Sequence, residues 1–150
     1  MATYLFAWNP AIWTWPELPA DIRKRRRRGH LDLEWSAGRT RAIEVGSRAF
    51  FVRVGVPPKG IFGAGYTLTV PHPAPHWRPE KAAAGAVTQY IELRLDSLYP
   101  LPLVTYDDLA TPTLARYRWG VRQSGTYLPS TLADALEALW EKRVRKAEKR

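Results

Sequence analysis

Apolar and polar residues alternate most cleanly in AVTQYIELRLDSLY, where Tyr90, Ile91, Leu93, Leu95 and Leu98 are set against Glu92, Arg94 and Asp96. A period of two puts every second side chain on one face, so this stretch predicts a half-buried strand. TYLFAW (Thr3 to Trp8), short, aromatic and closed by Asn-Pro, predicts another. RAFFVRVG (Arg48 to Gly55) and GIFGAGYTLTVP (Gly60 to Pro71) predict two more, joined by a Pro-Pro-Lys turn. The glycines of the second predict a bulge or a close backbone approach. At the end of the chain the period lengthens. Leu132, Leu136, Leu139, Trp140 and Val144 share one face of a helix in STLADALEALWEKRVRKAEKR. Thr131 to Asp134 has capping-box spacing, with Asp in the place of Glu. A shorter helix is expected from Pro16 to about Arg27, stopped at Gly29. HLDLEWSAGRTRAIEVGS reads as a loop with tight turns at SAG and VGS, and HPAPHWRPEKAAAG as a loop stiffened by proline. PLPLVTYDDLATPTLARYRWG reads as mixed loop and short helix. The sum is an α+β fold: one small, strongly curved, mostly antiparallel sheet with flanking helices, in a single domain over residues 1–150.

Composition narrows the setting. The 150 residues are 45% hydrophobic, and no apolar run approaches the ~20 residues of a membrane span. The first residues show neither a basic n-region nor a small-residue cleavage site, so no signal peptide is expected. The absence of cysteine excludes disulfides and cysteine-ligated zinc, and a cytoplasmic setting is expected. Charge is more telling: 23 Lys+Arg stand against 14 Asp+Glu, an excess that points to a polyanionic partner, most often nucleic acid. The cations cluster in RKRRRR (Arg23 to Arg28) and in a basic helix end at residues 142–150.

Four stretches place an aromatic beside a small polar residue: Trp8-Asn9, Trp35-Ser36 with Gly38 and Arg39, His76-Trp77, and Trp119 with Arg122 and Ser124. An indole offers a flat face, and a neighbouring hydroxyl, amide or bare N–H offers directional bonds to the edge of a heterocycle. This is how a single nucleobase is gripped. Packing claims most tryptophans of a small domain. Trp140 belongs there, on the apolar helix face, and Trp13 and Trp15 are expected to pack the turn after the first strand. Trp35 and Trp77 lie in polar, Gly/Pro-rich sequence and are the better pocket candidates.

Catalytic chemistry finds little support. His72 and His76 are spaced H-x-x-x-H, but Pro73 and Pro75 break the helix that would align them, and His30 is remote in sequence. Ser124 lacks an evident His/Asp set. Asp107 and Asp108, being adjacent, would point apart in extended chain and suit a helix start. A non-enzymatic protein without metal or small-molecule cofactor is expected. A methyl-lysine reader is disfavoured because a basic protein repels a lysine-rich tail; only Glu34 beside Trp35 would help.

The sequence resembles the EVE domain, a PUA-like family related to YTH domains. The residues that carry the resemblance are YLFAWNPAIWTWPEL, WSAGRTRAIEVGSRAFFVRVG, PPKGIFGAGYTLTVPHPAPHW, YIELRLDSL and VRQSGTYLPSTLADALEALWE, in that order, over roughly Thr3 to Lys142. It departs from the family in the basic run at Arg23 to Arg28 and at Ala37, where many members have cysteine. The resemblance implies a PUA-like open barrel and a pocket for a modified base: methylated or hydroxymethylated cytosine, or N6-methyladenine. It implies Trp35 and Trp77 as walls, Ser36 on the base edge, and Trp8 and Asn9 against the pocket. Arg122 and Ser124 would lie near the nucleic-acid backbone. Arg39, Arg41, Arg25 and Arg26 are further candidate phosphate contacts, the last two from a basic run that the resemblance does not account for and that is either an added phosphate contact or a solvated loop. Family members often act as the sensor beside a nuclease or a nucleotide-driven motor of a restriction system, so such a partner subunit is implied. The alternative is an RNA-binding PUA-like module indifferent to modification.

Overall fold

The computed structural model describes residues 1–149; Arg150, the last residue of the basic end, lies outside the described residues. In chain order the elements are β1 (Thr3–Trp8), α1 (Leu18–Arg28), β2 (Leu31–Gly38), β3 (Arg48–Arg53), β4 (Gly60–Thr67), β5 (His72–Pro75), α2 (Pro79–Ala83), β6 (Val87–Leu98), β7 (Val104–Thr105), a 3-10 turn (Leu114–Arg116), β8 (Thr126–Leu128) and α3 (Ser130–Glu148).

β6, the strand of clearest alternation, is the spine. On one edge it pairs antiparallel with β2, from Leu31↔Leu95 to Gly38↔Gln89. On the other it pairs with β4 near its C-terminal end and with β5 near its N-terminal end. The sheet runs β2-β6-β4-β3-β1-β8, with β7 on β4. Among the described ladders β1–β3 is parallel and the others antiparallel. The result is an α+β fold of PUA-like form whose curved sheet does not close.

Adjacent strand residues point to opposite faces, so Leu5 and Phe6, and Phe50 and Phe51, feed two cores. Leu5 and Phe50 pack with Leu136 and Trp140 of α3. Phe6 and Phe51 pack with Trp8, Trp15 and, from α1, Ile22. Helix α1 ends as expected, with Gly29 in the left-handed region at φ 83° and its N–H donating to the Arg25 carbonyl at 2.8 Å. Helix α3 is fastened by ion pairs: Arg48 with Glu137, and Arg143 with Asp108. The Arg143 guanidinium, with help from the Thr105 N–H and hydroxyl, holds the Asp108 carboxyl down to about 2. No described helix is long and apolar enough to cross a membrane.

Several expectations need correction. The segment after Gly29 is not a loop throughout, since β2 occupies Leu31–Gly38. Its Leu31-Asp32-Leu33-Glu34-Trp35 alternation is strand-like, but too short to stand out beside Ser-Ala-Gly. The proline-stiffened loop contains β5 and the short α2, β5 keeping two prolines because it lies at the end of the β6 ladder. The capping box is not formed: α3 starts at Ser130 after Pro129, without a side-chain cap.

The glycines of β4 do mark a bulge. Register shifts between Ala64 and Gly65 against β6. A Cβ on Gly65 would overlap the Arg94 carbonyl oxygen and lie 2.7 Å from the Leu95 Cα, both backbone. Gly65→Ala is therefore expected to cost at least about 1 kcal/mol of stability through forced backbone movement. An unchanged urea midpoint would show that the ladder gives way freely.

Candidate nucleic-acid interface

The sheet stays open where the C-terminal half of β1 faces β2. No ladder joins them; side chains and one loop bridge the seam. The Trp35 indole N–H donates to the Ala7 carbonyl at 3.2 Å. The Ala7 N–H donates to Ser124 Oγ at 2.8 Å, and that hydroxyl lies 3.4 Å from the Ala7 carbonyl oxygen. From the β2 side, the Thr40 hydroxyl donates to the Gly125 carbonyl at 2.9 Å. Gly125 itself, at φ 78°, packs so closely on the Ala37 carbonyl that a Cβ there would sit 2.7 Å from it. Trp35 and Ser124, far apart in sequence, are thus gathered at one seam, and Arg39 and Arg122 lie in the segments that flank it, next to Thr40 and close in sequence to Ser124.

The first corner supplies its aromatics. Asn9 organises the turn: its side-chain oxygen accepts from the Ala11 N–H at 3.0 Å, and its carbonyl accepts from the Ile12 and Trp13 N–H groups. Trp15 adopts φ 49°, a left-handed conformation that a bulky residue takes only under constraint. Its burial and its indole bond to Asp21 at 2.9 Å hold it there. The strained turn lays Trp13 nearly parallel on Trp15, with centroids 5.8 Å apart and planes at 16°. Trp35 meets both, Trp13 edge-on at 5.5 Å and Trp15 at 4.9 Å.

Trp15 packs the turn as expected, but the expected roles of Trp8 and Trp13 are exchanged. Trp8 is only 6% exposed. It packs on Trp15 and Phe62, lies under the Arg53 guanidinium, and donates its indole N–H to the Trp13 carbonyl. Trp15 is 3% exposed and Trp13 40%. Trp13 is therefore the surface indole and Trp8 a core residue. The Ile-Trp-Thr-Trp spacing does not distinguish the two, because the left-handed backbone at Trp15 splits residues that an extended chain would place on one face. Asn9 positions this corner rather than reaching into it.

Ser36 is half-buried, and its hydroxyl is 3.1 Å from both the Thr88 hydroxyl and the Gly38 N–H. Thr88 in turn donates to the Gly38 carbonyl at 3.0 Å. This polar cluster follows Trp35 along β2, but by the alternation of the strand it lies on the opposite face from the indole, with Asp32 and Glu34 rather than with the aromatic corner. Nothing in the sequence pattern singled out Thr88, which β6 contributes from the neighbouring strand.

Trp77 stands elsewhere. It follows β5, on the far edge of β6 from β2, so the strands behind Trp35 and Trp77 are two spacings, about 10 Å, apart. Its ring partner is His76, stacked at 5.3 Å and 27°, and Trp77 is 44% exposed. Partial burial, with Lys81 and Arg78 nearby, holds the His76 imidazole below its usual range, and its Nδ1 accepts from the Arg78 N–H at 3.0 Å. Trp119 is buried, its indole N–H donating to the Leu114 carbonyl.

Arg39 and Arg122 are exposed and make no ion pair among the described residues. Arg41, also exposed, borders a separate cleft of about 400 Å³ with Ala2, Tyr4, Glu44 and Val70. On α1, Arg26 is exposed, but Arg25 is only 17% exposed and pairs with Glu148 at 3.2 Å. Arg25 is therefore tied into the scaffold, a correction to its expected phosphate role.

Set beside known proteins, the chain matches no protein-family model and no curated protein in sequence. Its fold does match solved structures. A hypothetical protein from Leishmania major aligns with TM-score 0.62 and 13% identity, over 95% of this chain and 97% of that one. A protein from Pseudomonas syringae aligns with TM-score 0.61 and 18% identity, over 92% and 99%. Human THYN1, solved in complex with DNA containing 5-methylcytosine, aligns with TM-score 0.58 and 15% identity, over 93% and 97%.

Proposed function

We propose that the protein is a nucleic-acid-binding module that recognises a modified base, methylated or hydroxymethylated cytosine or N6-methyladenine, at the β1–β2 seam. The observation that carries this reading is the aromatic corner of Trp13 and Trp35 at the seam that Ser124 bridges, with exposed Arg39 and Arg122 in the segments flanking it. The indoles supply stacking, the Ser124 hydroxyl and seam backbone supply edge contacts, and the arginines supply phosphate attraction. The likeness to a fold solved with 5-methylcytosine DNA supports the same reading. Trp77, with its outer face exposed, is assigned to contact the strand near that corner.

The magnitudes divide the labour. Flipping a base out of a duplex costs a few kcal/mol, and stacking returns about 1–3 kcal/mol per base. The pocket then discriminates and phosphate contacts supply net affinity. Catalysis is assigned to a partner, a nuclease or nucleotide-driven motor. A second reading, an RNA-binding module indifferent to modification, draws on one observation: Trp13 touches Trp35 edge-on, so binding between them requires Trp13 to swing away.

The test is a binding panel of single- and double-stranded oligonucleotides carrying 5-methylcytosine, 5-hydroxymethylcytosine or N6-methyladenine, across a salt series. One modification is expected to bind better than its unmodified counterpart, with affinity falling steeply as salt rises. Equal affinity for modified and plain strands would leave the second reading.

A further inference from the structure

We infer that the two cationic runs from opposite ends of the sequence form one phosphate-binding surface, which grips nucleic acid about five nucleotides from the recognised base. This rests on the nucleic-acid reading above and adds to it a second point of contact.

A single carboxylate oxygen joins the parts. Glu148 Oε1, at the end of α3, accepts from Arg25 of α1 at 3.2 Å and from the Tyr99 hydroxyl, just past β6, at 2.7 Å. Burial and the Glu148 contact push the Tyr99 phenol up to about 12, while the charges of Arg25 and Arg26 pull against that rise. Two helix C-termini meet there. Exposed Arg26, Arg27 and Arg28 on one side stand with exposed Arg145, Lys146 and Lys149 on the other. Cations at helix ends usually answer the helix dipole, but two dipoles present only about half a negative charge each and act within the last turn. Six cations exceed that need. The carboxylate at the junction is already engaged by Arg25, so it does little to neutralise them.

The position follows from the chain. α1 stops at Gly29 and β2 starts at Leu31, five residues before Ser36. At 3.3–3.4 Å per residue the start of β2 is about 17 Å from the seam. Phosphates of one strand repeat every 3.4 Å along a duplex, so this spans about five of them. Nucleic acid held at the seam reaches the surface only if it extends that far on the flank.

Anisotropy titrations with duplexes carrying the mark near one end, flanked by two to twelve base pairs, test this. Wild-type affinity is expected to rise about tenfold or more once the flank passes roughly five base pairs, with a steeper salt slope. Changing Arg26, Arg27 and Arg28 to Gln, or Arg145, Lys146 and Lys149 to Gln, should each remove most of that gain. Each triple change should also reduce the slope by about 2–3. Glu148→Ala is the sharper test. It removes a negative charge, so net charge alone predicts tighter binding to long duplexes, whereas loss of the junction predicts a smaller length gain. No length gain in the wild type, an unchanged gain in both triple variants, or tighter binding by Glu148→Ala would each overturn the inference. Discrimination on the shortest duplex reports the seam separately. Its failure with the length gain intact would sink the modified-base reading and leave the cationic surface standing.

Discussion

Trp35→Ala is expected to remove most of the preference for modified over plain base, while leaving the salt-sensitive background binding in place. The size follows from the mark itself: one methyl buried against the indole is worth about 1 kcal/mol, or roughly fivefold, whereas stacking, worth about 1–3 kcal/mol per base, is shared by plain and marked bases and is lost from both. Background binding survives because Arg39, Arg122 and the distant cationic surface do not depend on the indole. Trp35 also packs on Trp15 and Phe51 and bonds to the Ala7 carbonyl, so truncation will lower the melting temperature. Two further variants separate the effects. Trp35→Phe keeps an aromatic face but loses the indole N–H, and should retain part of the preference. Trp13→Ala removes the exposed partner without opening the core, since Trp15 and Trp8 beneath it remain mutually packed. If a folded Trp35→Ala protein discriminates as well as the wild type, the base does not sit on this indole.

Legibility in the sequence depended on how far each signal was local. The β6 alternation, the α1 stop at Gly29, the apolar face of α3 and the close approach at the β4 glycines follow from rules that act within a few residues. β2 was missed because its alternation covers five residues and runs into a Ser-Ala-Gly turn signature. The site was half legible. Tryptophan at position 35 in polar sequence marked the seam, but Ser36 beside it points to the other face of β2 and Ser124 takes the place at the seam. Which early tryptophan faces solvent depended on the left-handed backbone at Trp15, and no pattern announces that. The neutralisation of Arg25 by Glu148 joins residues at opposite ends of the chain, beyond the reach of any window.

Arg48→Met is expected to lower unfolding stability by up to about 3 kcal/mol. The Arg48 side chain is buried between β3, β4, β6 and α3. Its Nε and Nη2 donate to the two Glu137 oxygens at 2.8 and 3.0 Å, and Nη1 donates to Asp96 at 2.9 Å and to the Gly65 carbonyl at 3.3 Å. The guanidinium also lies over the Phe50 and Tyr66 rings, 5.0 and 4.8 Å from their centroids. Burial alone would disfavour its charge, but the Glu137 bonds and the Asp96 field outweigh it and hold the group above its ordinary range. Removing one member of a buried ion pair costs about 3–5 kcal/mol because the remaining charge stays desolvated. Asp96 and Glu137 keep some contact with water, so the lower end applies. Arg48→Lys should recover little, since an ammonium cannot make the bidentate bond or stack as a plane. A double-mutant cycle with Glu137→Gln, read by urea unfolding, should show coupling of about 1 kcal/mol or more. Additive effects would mean that α3 is held by its apolar face alone. β3 is the parallel partner of β1, and β1 forms one side of the seam. Folded Arg48→Met protein at low temperature should nevertheless keep its base preference, because the guanidinium touches no seam residue. That would separate what holds the sheet from what reads the base.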